Sequence, residues 1–277
     1  MYWLLRARQG EGRLPIEQTL EQAEDLPTQT RARMLNALAV CVYGSGDAER
    51  LVETSEESAT LFRRAGDAHG AAHAPGMIGF AMLEMGDLDG ATRVFGEVLE
   101  NLKEQGDSWA SAQILNHMAV APLRRGDYPR AAEHAQEALA LAEQTGDRLA
   151  AQTALQILAQ AAWASDERQE ASRYFRASLW VASELADRVN VAYCMQGLAA
   201  VVEPRRAARL LGAGEALLEE AAVPLYAWAD HEMQQKAANA AHEQLGEVGM
   251  GSGARRRTSD DLRRGGGLCA RAGSTAP

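Results

Sequence analysis

Four carboxamide side chains, Asn36, Asn116, Gln156 and Gln196, stand at multiples of forty residues from one another, and Gly76 fills the one gap in the series. A carboxamide offers donors and an acceptor without the desolvation cost of a charge. A row of them on one face suits the peptide groups of an extended chain, and it equally suits bonding one helix to the next. In a helix, positions three and four residues away share that face. They read Arg33, His73, Gln113, Thr153 and Tyr193 on one flank and Val40, Phe80, Val120, Gln160 and Ala200 on the other, with Tyr43, Leu83, Leu123 and Trp163 beyond. Two readings stand. In one, Asn36, Tyr43, His73, Phe80, Gln113, Asn116, Thr153, Gln156, Trp163, Tyr193 and Gln196 line a partner or ligand groove. In the other, the amides are a ladder that keeps stacked helices in register.

Catalytic chemistry finds little to use. Neither Lys103 nor Lys236 follows the glycines of a G-x-x-x-x-G-K-[ST] loop, and no G-x-G-x-x-G follows a strand pattern. His69 and His73 are four apart, but no third ligand follows at metal-site spacing, so they read as a solvated helix face. His231-Glu232 and His242-Glu243 lack the second histidine of a zinc-protease helix. Met77, Met82 and Met85 read as core filler. With no nucleophile paired to a base, the chain is expected to be a non-enzyme without cofactor or metal.

The elements that would position the amides are marked by a glycine-aspartate pair every twenty residues: Gly46-Asp47, Gly66-Asp67, Gly86-Asp87, Gly106-Asp107, Gly126-Asp127 and Gly146-Asp147. The series degrades to Asp166-Glu167 and Ala186-Asp187. Glycine after a helix accepts the left-handed conformation that closes the last turn. Aspartate beside it bonds the orphan N–H groups that open the next helix, and its charge suits the positive end of the helix dipole. The full period is forty, because Leu38, Ile78, Met118, Leu158 and Leu198 form one column and Ala39, Gly79, Ala119, Ala159 and Ala199 the next. A large residue beside a small one is a knob and a close-approach point between paired helices.

These columns, with Leu115-x-x-Met118-Ala119 before Gly126-Asp127-Tyr128-x-x-Ala131 and Ile78-Gly79 before Gly86-Asp87-Leu88-x-x-Ala91-x-x-x-Phe95, resemble the tetratricopeptide repeat in its elongated, forty-residue form. The resemblance covers residues 28 to 203. It implies an all-α, right-handed superhelix of about five antiparallel helical hairpins, whose first helices line a concave groove for a protein, a peptide or a small effector. The nearest setting by resemblance is the C-terminal repeat region of LuxR-type or antibiotic-regulator-type bacterial transcriptional regulators. The ATP-binding core and DNA-binding domain of such proteins have no counterpart among these residues. Two departures are visible: Pro75 is expected to bend or delay its helix, and Val201-Val202-Glu203-Pro204 shortens the fifth repeat, with Pro204 opening the next helix.

Composition agrees. Aromatics make up only 5% of 277 residues, so the core must be mostly Ala and Leu. No apolar run has membrane-spanning length, and Tyr2-Trp3-Leu4-Leu5 is stopped by Arg6 and Arg8. Cys41, Cys194 and Cys269, odd in number and far apart, fit a reducing cytoplasm. The array is expected to run over residues 1–246, with 1–27 a partial first repeat and 204–246 the closing helices. Residues 2–6 read as the end of a helix, residues 8–12 as a turn, and Pro15 to Glu24 as a short helix, which leaves an edge open to a second copy of the chain.

Residues 247–277 change character. Six arginines stand against Glu247, Asp260 and Asp261, a net of +3, which leaves −13 on residues 1–246. Such a segment is expected to be disordered. It reads either as a basic tail for a nucleic-acid-associated adaptor or as a frameshift product. Back-translated and read one base over, Asp261 to Gly273 becomes Thr-Ser-Ala-Glu-Ala-Val-Gly-Tyr-Ala-Leu-Glu-Gln, an acidic helical ending. The negative charge of the repeats argues against DNA contact along the array.

Overall fold

The computed structural model describes residues 9–23, 25–43 and 46–221, together with 233, 236, 238 and 239. The reading of residues 2–6, most of the closing segment 222–246 and the tail at 247–277 fall outside the described residues. Within them the chain is helical and contains no strand. A leading helix, α1 (Gln9–Gln22), is followed by five hairpins. These are α2 (Thr28–Val42) with α3 (Ala48–Arg64); α4 (Ala68–His73) and α5 (Gly76–Met85) with α6 (Leu88–Glu104); α7 (Ser108–Met118) and α8 (Val120–Arg125) with α9 (Tyr128–Thr145); α10 (Arg148–Ala164) with α11 (Arg168–Glu184); and α12 (Arg188–Ala199) with α13 (Pro204–Ala221).

The turns do what their residue types dictate. All six glycines of the ladder have positive φ, from 67° at Gly106 to 82° at Gly46, and Asp166 and Ala186 hold the same conformation at 60° and 53°. Each following aspartate accepts a backbone N–H three residues on, at 2.8 Å for Asp87 to Gly90 and 2.9 Å for Asp107 to Ala110. Glu167 makes no such bond, since its longer side chain does not fold back to the helix start. Each cap contributes about 1 kcal/mol.

Packing follows the forty-residue columns. Leu38, Ala39, Val42 and Leu51 are buried in a cluster that also takes Met77 and Ala81. Gly79 lets α5 approach α6 so closely that an added Cβ would lie 2.5 Å from the Phe95 ring. Ser58 and Ser178, also in register, donate to the carbonyls of Ala32 and Gln152 at 2.9 and 3.1 Å, tying the second helix of a hairpin to its first.

Two local expectations need correction, at the leading helix and at Met85, and two helices are broken. Residues 9–12 of the expected turn are helical instead, because α1 already runs from Gln9 through Gly10, Gly12 and Pro15. Packing of Ile16 and Leu20 on the Leu38 cluster, with an Arg13–Glu17 pair at 2.9 Å, outweighs the weak local propensity. Pro75 interrupts its helix as expected, where Met77 and Ile78 fall back on carbonyls three residues earlier. A matching break at Ala119 separates α7 from α8, three residues ahead of Pro122, whose ring removes an N–H from the helix ladder. Met85 is 56% exposed rather than core, whereas Met77 is buried.

Candidate binding groove

Between the later hairpins the first helices touch one another, α7 with α10 and α10 with α12. The amide columns belong to that layer of first helices. Asn116 and Gln156 are almost wholly buried there. Nδ2 of Asn116 donates to the Ala150 carbonyl at 2.9 Å, and Nε2 of Gln156 reaches Asn190 Oδ1 at 3.3 Å and Cys194 Sγ at 3.4 Å. Both spans cross to the next hairpin. Gln196 and Tyr193 are buried as well. The carbonyl oxygens of Asn36, Asn116, Gln156 and Gln196 lie buried without a partner within the described chain.

The remaining side chains of the sequence-derived set keep part of their surface. Asn36, Tyr43, His73, Phe80, Gln113, Thr153 and Trp163 are half-buried. Thr153 Oγ1 turns back to the Leu149 carbonyl at 3.1 Å, and Trp163 lies 5.2 Å from the Lys236 ammonium. At the first hairpins the rings assemble: Tyr43 stands 4.9 Å from Phe80, and Phe80 meets the edge of His117 at 4.1 Å. A second row stacks His69, His73 and Trp109, with the last pair 6.4 Å apart. His73 is thus not on a fully solvated face. Burial, then the nearby His69 charge, holds its pKa below the ordinary histidine value.

His117, His69 and Trp109 were missed because they fall between the forty-residue columns. The one available signal was the second oxygen of each aspartate. Asp67, Asp107 and Asp147 each cap their own helix with Oδ1. Oδ2 faces a side chain of the preceding hairpin: Gln29 at 2.9 Å, His69 at 3.0 Å and Gln113 at 2.6 Å. A pair that recurs with both oxygens committed binds repeat to repeat as well as turn to helix.

The candidate face offers neutral hydrogen-bonding groups and ring faces. Its cysteine neighbour is inert, since burial raises the Cys194 pKa to about 11. Burial drives His117 down to about 3, with the His73 charge adding to the effect, so it is neutral at ordinary pH. No group of three or more His, Cys, Asp or Glu among the described residues is placed to hold a metal ion.

Residues 111–145 match the tetratricopeptide repeat family. No curated protein sequence matches the chain. Its structure is similar to that of a Rap protein complexed with competence and sporulation factor, with a TM-score of 0.74 and 16% identity over 98% of this chain and 73% of that one. It is also similar to the Rap conjugation gene regulator of a plasmid in complex with the Phr* peptide, with a TM-score of 0.64 and 15% identity over 88% and 70% of the two chains. A third likeness is to a signal transduction ATPase with a tetratricopeptide repeat sensor from Pyrococcus horikoshii, with a TM-score of 0.58 and 15% identity. There the overlap is 82% of this chain and 38% of that one. At these identities the likeness is one of fold, a solenoid of helical hairpins. No helix among the described residues is long and apolar enough to cross a membrane.

Proposed function

We propose that the chain is a non-enzymatic interaction or ligand-sensing module that takes a peptide, a segment of a partner protein or a small effector on the first helices of its array. The observations that carry this reading are the two ring groups on the first helices, Tyr43 with Phe80 and His73 with the exposed Trp109, and the half-buried carboxamide of Gln113. Such a surface binds an extended or helical segment by apolar contact and orients it with a few polar groups. The buried amides Asn116 and Gln156 support it by bonding across to the next hairpin. Similarity of fold to Rap proteins seen with a peptide or with competence and sporulation factor supports a peptide as the occupant.

Within this reading the module works in the cytoplasm as the regulatory part of a larger bacterial transcriptional regulator of the LuxR or antibiotic-regulator type, or of a signalling ATPase. The array itself makes no DNA contact, because its acidic balance repels a polyanion. The test is a selection of random displayed peptides on the purified chain, followed by affinity measurement on the double variant His73→Ala, Trp109→Ser. Enriched peptides whose binding falls at least about tenfold in the variant, with unchanged melting, agree with the proposal. Failure to enrich any sequence, or affinity indifferent to the two substitutions, refutes it.

A further inference from the structure

We propose that the outer face of α11 is a second docking site, for a short acidic segment of a partner protein that carries one aromatic side chain. The array spends most of its large apolar residues on packing between hairpins, yet Trp180 is 67% exposed toward the C-terminal end of α11. It contributes little to the fold there. Gln169, Arg173, Arg176 and Trp180 follow one another at steps of four, three and four, so they share a single stripe of the helix surface. The N-terminal half of that stripe forms one wall of a surface cleft of about 490 Å³, lined by Arg168, Gln169, Ser172, Arg173, Arg176 and Val201. Val201 comes from the turn between α12 and α13, so the cleft is framed by two hairpins' worth of chain.

The charge of this face runs against the charge of the molecule. The whole chain carries −10, while the cleft presents three guanidinium groups and no carboxylate among its lining residues. Arg168 pairs with Asp166 at 3.2 Å and Arg173 with Glu170 at 2.5 Å, but all four side chains are largely exposed. Solvent screens such pairs, and an incoming carboxylate with better geometry displaces them. Arg176 makes no ion pair among the described residues. Arg205 and Arg206, exposed at the start of α13, add positive charge four and five residues beyond Val201.

Guanidinium groups recognise carboxylates by paired hydrogen bonds, and an exposed indole beside them offers a face for one ring of the same segment. Tryptophan and arginine together are the side chains most enriched where partner proteins bind tightly. A long polyanion is disfavoured, because it would run beyond the patch onto the acidic remainder of the array; a short acidic segment ends within it. This site lies on the second helices, away from the layer of first helices, and stands independently of the groove.

The experiment uses the full chain and a fluorescein-labelled peptide, Glu-Glu-Phe-Glu-Glu, with Lys-Lys-Phe-Lys-Lys and an oligothymidylate of about twelve nucleotides as the competing probes. Fluorescence anisotropy is read for the wild type and for Arg176→Glu and Trp180→Ala, whose melting temperatures are measured alongside. Saturable binding of the acidic peptide is expected. It should weaken at least about tenfold in either variant at unchanged melting and fall as salt rises from about 50 to about 300 mM. Three results would each overturn the proposal: no saturable binding of the acidic peptide, equal affinity in wild type and both variants, or tighter binding of the oligothymidylate than of the peptide.

Discussion

Protonating His117 has to place a charge among the rings of Phe80 and Phe95, whose centroids lie 4.1 and 6.0 Å from its own. Its pKa falls from 6.5 to about 3, chiefly through burial and secondly through the His73 charge. The unfolded chain therefore takes up this proton first. Stability is full above pH 6.5, declines as the pH falls toward 3, and levels off below that. Linkage over this interval gives a loss of about 2 kcal/mol between pH 7.5 and pH 5.0. This is an upper figure, because His117 keeps part of its residue surface and water screens the charge there. The assay is urea unfolding followed by far-ultraviolet circular dichroism at the two pH values, for the wild type and for His117→Phe. Phenylalanine fills a similar volume and cannot titrate. The variant is expected to lose less stability on acidification, by up to about 2 kcal/mol, with the remainder arising from His73 and His134, whose pKa values are also lowered by burial. Equal acid sensitivity in the two proteins would refute the account of the cluster.

Two further substitutions test the joints between hairpins. Asn116→Ala removes the second donor of the Ala150 carbonyl, which keeps its helical one, and is expected to lower stability by about 0.5–1.5 kcal/mol, read as a shift in urea midpoint. Ala186→Gly relieves a left-handed residue with a side chain, φ 53°, and is expected to raise stability by about 1 kcal/mol in the same assay. A drop in stability there would mean that the turn does not hold the conformation described.

The turns were legible in the sequence because each is a local event. Gly86-Asp87 closes one helix and opens the next with bonds that span only a few residues, so residue types alone specify it. Pro75 was legible for the same reason. The break at Ala119 was less so, since Pro122 acts on the backbone before it and the flanking residues favour helix. The leading helix was misread at Gly10 and Gly12 because contacts with Leu38 and its neighbours, far away in the chain, decide the matter.

The site was harder to read than the fold. The side-chain bonds between hairpins fall off the forty-residue spacing. Asn116 bonds a residue 34 positions on, and Gln29 and His69 each meet an aspartate 38 positions on. Neighbouring first helices are staggered, so the partner of each group sits several residues off the repeat. The ring assembly of Tyr43, Phe80 and His117, at steps of 37, escaped a search by columns for that reason. Periodicity names the members of a layer and leaves their introductions to geometry.

Asp67, Asp107 and Asp147 give α4, α7 and α10 a start that is half owned by the hairpin before it. Ordering therefore passes along the chain like a row of linked arms: a hairpin whose predecessor loosens loses the neighbour that steadies its own first turn.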